Sequence, residues 1–349
     1  MNIVIIGGGL SGLTLAYLLK KENRNVTLLE ASSRLGGRIQ TIRGPLDSPL
    51  ELGATWFSEA HINLLNLIEV LGLQKYPQYS KGISLFQTKS FEPPQKFIVP
   101  EAEQPSYRLV GGTQQIIDAL AAQLDSKTLM MNSKVLSLNE NGNQIEIEIY
   151  NKKKLYADKA IICLPPQLAG SSIKFSPQLP HSLTSILPTV QTWMSGSIKF
   201  VLEYDQPFWR KKGYSGMLYS HVGTIVEMYD HTNFEENKFG FTGFLSGNAT
   251  HYTLKTRKEL VLKQLSELIG TDAMFPKLYL DKIWSDEFVL AENQLMQRPH
   301  QNNGHPVLKH PYMNDKLFFS GTETATQFAG YMEGAVISAM EIAQYLKKN

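Results

Sequence analysis

Gly7, Gly9 and Gly12 stand in G-x-G-x-x-G spacing directly after an unbroken apolar run, Ile3 to Ile6. Behind them, Leu10 to Lys21 reads as a helix. Strand, glycines and helix in that order suit phosphate chemistry. Gly7 permits a tight turn, Gly9 lets the backbone approach a pyrophosphate, and Gly12 lets helix and strand pack closely. Leu10 and Ser11 open the helix, so their N–H groups face the phosphates. A second apolar run, Val26 to Leu29, ends at Glu30-Ala31, near the ~20-residue distance at which a carboxylate accepts hydrogen bonds from a ribose 2′-hydroxyl. An acid at that place disfavours NADP, whose 2′-phosphate it would repel.

The far end of the chain carries a second such segment. Phe318-Phe319-Ser320 leads into Gly321-Thr322-Glu323, and Gly330 and Gly334 bracket Tyr331-Met332 at the start of the last apolar-periodic stretch. A helix beginning there points its N–H groups and the positive end of its dipole at a ligand. Both ends of the chain then converge on one long dinucleotide. Elsewhere, Lys199 interrupts an apolar run. On a strand, Ile198, Phe200, Leu202 and Tyr204 face one way while Lys199, Val201 and Glu203 face the other. A lysine there is either functional or on an exposed strand face.

The elements that must position these residues follow from periodicity. His61 to Leu73 and Gln114 to Leu124 read as helices, and residues 79–107 as a loop or short strands. Val135 to Leu138 and Gln144 to Tyr150 flank Asn141-Gly142-Asn143, a hairpin signal. Ala160 to Leu164 is a buried strand stopped by Pro165-Pro166. Segments 196–205, 216–229 and 238–245 resemble strands of a second sheet, followed by a helix from Lys255 to Ile269. Leu317 to Ser320 is the last strand and Tyr331 to Lys347 the last helix. A discontinuous nucleotide domain over 1–78, 108–188 and 287–349, with a substrate domain from 79–107 and 189–286, follows from that order.

Composition bounds the function. With 349 residues, 42% of them hydrophobic, the chain has enough apolar residues for a large core. A net charge of +2 with short scattered basic runs argues against nucleic acid as a partner. The lone Cys163, in the apolar run Ala160 to Leu164, reads as a small buried hydrophobe and suits a reducing cytoplasm. No apolar stretch reaches the ~18–20 residues that span a bilayer, so a soluble cytoplasmic protein is expected. No metal-ligand pattern is seen.

With these residues in place, the chain resembles the flavin-dependent amine oxidases of the monoamine oxidase type. The likeness rests on the Gly7–Glu30 unit, Arg34-Leu35-Gly36-Gly37-Arg38, Leu52-Gly53-Ala54-Thr55-Trp56, Ile198-Lys199-Phe200 leading to Pro207-Phe208-Trp209, and Gly321-Thr322-Glu323-Thr324-Ala325 through Ala335. It implies an α/β fold: a Rossmann-like FAD-binding domain of the GR2 flavoprotein type, with an inserted α+β substrate domain containing a mixed sheet. FAD is the implied cofactor. Its expected contacts include Arg34, Gly37 and Arg38 at the pyrophosphate and Val135 at adenine, although Val135 would look the same as a plain strand residue. Gly53, Ala54, Thr55 and Trp56 are expected beneath the isoalloxazine ring, with Trp284 near it. Gly321, Thr322, Glu323, Tyr331 and Met332 close the site.

The implied reaction moves a hydride equivalent from a carbon–nitrogen substrate to flavin N5, and dioxygen reoxidises the flavin to give hydrogen peroxide. Lys199 corresponds to the lysine that holds a water at N5, and Tyr331 to one wall of an aromatic cage. Trp56 and Gln294 are further expected substrate contacts. Departures from the family pattern matter. Asn293 stands where relatives often place the cysteine bonded to the flavin, so FAD is expected to be non-covalent. Gln294 replaces the second cage tyrosine. Only about thirty residues separate Leu71-Gly72-Leu73 from Tyr107, where larger relatives carry a helical insertion, so the substrate domain is trimmed. An open site for a bulky substrate, or one completed by a partner chain such as a homodimer, follows. A desaturase or C–C dehydrogenase on the same fold, and a non-catalytic flavin-binding protein, remain open alternatives.

Overall fold

The computed structural model describes residues 1–100, 105–284 and 300–348. Its first sheet has five strands in the order Leu317–Phe319, Lys159–Ile162, Asn2–Ile6, Asn25–Leu29, Leu129–Met130, all parallel. Both faces of this sheet are covered, which explains the unbroken apolar runs. Ile3 and Ile5 pack with helices Leu10–Lys21 and Met332–Lys348, while Val4 and Ile6 pack with the strands and loops on the other side. The hairpin Val135–Asn141 and Gln144–Ile149 belongs to a separate four-stranded sheet.

Glycine geometry sets the first turn. Gly7 has φ of +113°, in the region that favours glycine. A methyl group on Gly12 would lie 2.0 Å from the Gly7 carbonyl oxygen, so that glycine lets helix Leu10–Lys21 close onto its strand. The last helix starts at Met332, one residue later than expected, and ends with Lys347 and Lys348 in its last turn, complementing its dipole. Its buried Glu333 accepts hydrogen bonds from the backbone N–H groups of Asn63 and Leu64, at 3.1 and 2.7 Å. One helix thereby caps the N-terminus of another, Ile62–Val70.

The largest sheet has seven strands and mixed pairing. Its order is Leu278–Ile283, Ile198–Tyr204, Phe239–Leu245, Ile225–Asp230, Tyr214–Ser220, Ile83–Gln87, Gln95–Ile98. Only Tyr214–Ser220 and Ile83–Gln87 pair in parallel; the other neighbours are antiparallel. The stretch 216–229 proves to be two strands with a turn at 221–224. Strand Leu278–Ile283 has no counterpart in the sequence reading. Its Asp281 and Lys282 hide it from hydrophobic pattern, because Asp281 is paired with Arg257 and Lys282 donates to Gln40.

Every residue of Ile198–Tyr204 is buried. Ile198, Phe200, Leu202 and Tyr204 pack against helix Leu254–Ile269, and Val201 on the other face packs against Leu50 and Leu52. The exposed-face explanation of Lys199 therefore fails: the side chain is 1% exposed.

Candidate active site

One cavity of about 700 Å³ runs from the first glycine turn to the seven-stranded sheet. Its lining brings together Gly7, Gly9, Leu10, Ser11, Glu30, Ala31, Gly37, Arg38 and Val135 at one end. Gly53, Ala54, Thr55, Trp56 and Lys199 line it at the other, with Gly321, Thr322, Glu323, Tyr331 and Met332 from the last segment. Residues more than 300 positions apart share these walls because the first strand, Asn2–Ile6, and the last, Leu317–Phe319, belong to one sheet.

The glycines leave the room a dinucleotide needs. A methyl group on Gly9 would meet no protein atom nearer than 4.0 Å, and on Gly37 only Gly9 Cα at 3.4 Å. Packing does not demand glycine there; the space it preserves belongs to the cavity. Gly9 and Gly37 thus form a bare backbone cradle at the N-terminus of helix Leu10–Lys21, as a pyrophosphate requires. Glu30 Oε2 accepts from Gly8 N–H at 2.7 Å and Oε1 from Ser32 N–H at 2.8 Å, which hold the carboxylate at the strand end. Lone pairs remain for a ribose hydroxyl. Ser11 Oγ lies 3.0 Å from Ser320 Oγ, which in turn contacts Ser338, so hydroxyls tie the two ends of the chain together. These residues fit FAD.

Arg38 is bidentate to Glu323, at 2.6 and 3.0 Å, and Glu323 is fully buried. Its guanidinium therefore bridges a buried acid and the cavity. Two expected cofactor contacts stand elsewhere. Arg34 turns inward on its own loop and donates to the carbonyls of Gly37, at 2.8 Å, and Ile39, at 3.2 Å. It shapes the Gly36-Gly37 turn and does not line the cavity. Trp284 is buried behind the wall and gives its indole N–H to the Leu52 carbonyl at 2.7 Å. It fixes the strand leading into Gly53-Ala54-Thr55. Gly12 acts through packing. Cys163, expected as core, is half-buried and borders the cavity; burial pushes its thiol up to about 12, so it stays protonated. Asn293 and Gln294 lie outside the described residues.

Lys199 Nζ donates to Gly53 O at 2.5 Å and to Thr55 Oγ1, so the strand lysine grips the segment that forms the opposite wall. It also sits 4.8 Å from the Trp56 ring centre. Burial holds its ammonium well below the usual lysine range, to about 7; Glu51 opposes this and Arg108 reinforces it. The buried Glu51, absent from the sequence reading, accepts from Thr113 N–H at 2.5 Å and Thr41 Oγ1 at 3.0 Å, and burial raises its pKa. Tyr331, partly exposed, has Trp193 stacked beside it at 6.1 Å and 24°. At that separation the rings touch, so Trp193 extends the Tyr331 face and does not stand opposite it as a cage partner. Sequence alone gave no sign of Trp193 or of Glu227 and Phe244, which also line the cavity. For Glu227 the one available signal was its place within the strand-like segment 216–229, which did not say which face it takes.

The family model described as flavin containing amine oxidoreductase matches residues 10–91 and 82–347. A probable flavin-containing monoamine oxidase A of Dictyostelium discoideum is 26% identical, covering 99% of this chain and 97% of its own. That alignment extends over 454 positions, so the relative carries insertions that this chain lacks. Human flavin-containing amine oxidase B is 24% identical over 96% of this chain and 84% of its own. Among solved structures, putrescine oxidase bound to putrescine superimposes with a TM-score of 0.87 at 20% identity, covering 100% and 99% of the two chains. Cyclohexylamine oxidase from Brevibacterium oxydans IH-35A gives 0.82 at 19% identity, with 99% of each chain covered. No helix among the described residues is long and apolar enough to cross a membrane. The chain belongs to the flavin-containing amine oxidoreductase family and is an FAD-dependent oxidoreductase acting on amines.

Proposed function

We propose that this protein oxidises the carbon–nitrogen bond of an amine beside Lys199, with dioxygen as the final acceptor. When bound, FAD supplies the redox chemistry, taking a hydride equivalent from the carbon next to nitrogen and reducing dioxygen to hydrogen peroxide. The chain's own residues bind, orient and exclude water. Gly9, Gly37 and the helix N-terminus would hold the pyrophosphate, and Glu30 the ribose. Val135, on the cavity wall, would contact the adenine. The N–H groups at Met332 favour negative charge on the ring system they face. Lys199, with its proton held loosely, positions a water near the reacting centre, while Trp56 and Tyr331 present π faces to the amine.

The observation that carries this reading is the burial of Lys199 on a strand wall of the very cavity that begins at the glycine cradle. The relatives' names, which include amine, monoamine, putrescine and cyclohexylamine oxidases, support the substrate class. Non-covalent FAD, a cytoplasmic site and the division into domains at 1–78, 108–188 and 287–349 against 79–107 and 189–286 belong to the same proposal. The purified protein should be yellow, and acid precipitation should leave the flavin in the supernatant. Amines should bleach it anaerobically, where polyenes should not. A colourless protein that gains no thermal stability from added FAD would overturn the reading; bleaching by polyenes alone would favour a desaturase.

A further inference from the structure

The row of side chains on the cavity wall runs past Lys199. Lys199 pairs with Phe244 across one strand boundary, and Phe244 with Glu227 across the next. Residues directly opposite in neighbouring strands share a face, so these three point into the cavity together. Strands lie ~4.8 Å apart, which puts the Glu227 backbone roughly 10 Å from that of Lys199. Aromatic surface fills the interval. Lys199 Nζ is 5.6 Å from the Phe244 ring centre, and Trp56 meets Tyr229 edge-on at 4.9 Å.

Glu227 differs from the other acids around this wall. Of the three carboxylates that line the cavity among the described residues, Glu323 is neutralised by Arg38 and Glu30 is held by two backbone N–H groups. Glu203, behind the wall, accepts from Leu46 and Ser48 N–H. Glu227 receives one hydrogen bond, from the Tyr229 hydroxyl to Oε1 at 2.6 Å. Tyr229 is itself braced by the Tyr219 hydroxyl at 2.5 Å. Oε2 has no partner among the described residues, and no lysine or arginine among them is ion-paired with this carboxylate. A half-buried anion aimed into a cavity and oriented by a phenol pair, with only the Lys199 charge acting on it from across the wall and no ion pair of its own, has room for a further cation.

We propose that Glu227 is a second cation-binding position, so that the preferred amine carries a further positive charge a short alkyl chain away from the reacting nitrogen. This rests on the amine oxidation proposed above and narrows it to α,ω-diamines and related polycations. The reacting nitrogen sits at the Lys199 end, where a second like charge is unwelcome. The alkyl spacer lies over Phe244 and Trp56, and the distal ammonium completes Glu227. A monoamine of the same length leaves that carboxylate without its partner, and a site built this way discriminates through the unpaired group.

The test compares linear diamines of three to six carbons with the monoamines of equal length, on the FAD-loaded protein. Two readouts serve: kcat/KM, and thermal stabilisation under anaerobic conditions, which needs no turnover. In the wild type the diamines should be favoured at least tenfold, and Glu227→Gln should collapse that ratio at least tenfold, about 1.4 kcal/mol. Glu227→Asp withdraws the carboxylate by one methylene, so it should retain the preference and move its optimum to a longer diamine. Equal treatment of mono- and diamines by the wild type overturns the proposal, as does a preference that survives Glu227→Gln. Bleaching by monoamines with no diamine preference would sink this inference alone. If no amine bleaches the flavin or stabilises the protein, the amine reading itself falls and this inference with it.

Discussion

Replacing Lys199 by methionine should change how stability depends on pH, and the structure sets both sign and window. The folded protein holds this ammonium at about 7 against 10.5 for an exposed lysine, chiefly through burial. Between those values the unfolded chain binds a proton that the folded chain does not. Wild-type stability therefore rises with pH across that interval and is lost again as pH falls towards 7. At ~1.36 kcal/mol per pKa unit the whole change is about 5 kcal/mol. Methionine removes this dependence. It also removes the hydrogen bonds to Gly53 O and Thr55 Oγ1, at a cost of about 1–3 kcal/mol that does not vary with pH. The observable is consequently the slope and not the offset. Urea unfolding of both proteins at saturating FAD, from pH 6.5 to 10, should show the variant-minus-wild-type difference falling by several kcal/mol as pH rises. A difference that stays level over that range means that Lys199 is folded as a stable cation, and the reasoning fails.

Glu51→Gln removes the charge that most opposes deprotonation of Lys199, so the lower edge of that window should move below 7 in the same unfolding series. Gly9→Ala should leave the apo-protein's melting temperature nearly unchanged yet weaken FAD binding at least tenfold by titration. Gly12→Ala should instead destabilise the fold itself, because its methyl group would lie 2.0 Å from Gly7 O. Arg38→Ala strands the buried Glu323 carboxylate and should cost about 3–5 kcal/mol in apo-protein unfolding, most of it regained in Arg38→Ala/Glu323→Gln. If the double variant is no more stable than the single one, the pair is not what stabilises that corner.

Local pattern determined a good part of this protein. Unbroken apolar runs at Ile3–Ile6 and Val26–Leu29 meant strands buried on both faces. The glycine spacing meant a turn into a helix, because backbone conformation and helix-end N–H groups are properties of a few consecutive residues. Helix Leu10–Lys21 was legible to the residue, since its glycines mark where it begins and the turn beyond Lys21 where it stops. Lys199 was conspicuous as a charge within an apolar strand. What pattern left open was the company these residues keep. Arg34 and Arg38 stand four positions apart in one loop, yet one folds back on its own carbonyls while the other reaches Glu323, 285 residues away. Trp284 looked like a wall of the site and is its backing. The row Lys199, Phe244 and Glu227 exists only through the register of three strands, which a one-residue slip would abolish by turning every side chain to the opposite face. Register and burial are settled by packing between distant segments, so the chemistry of the cavity's far end was decided by tertiary structure alone.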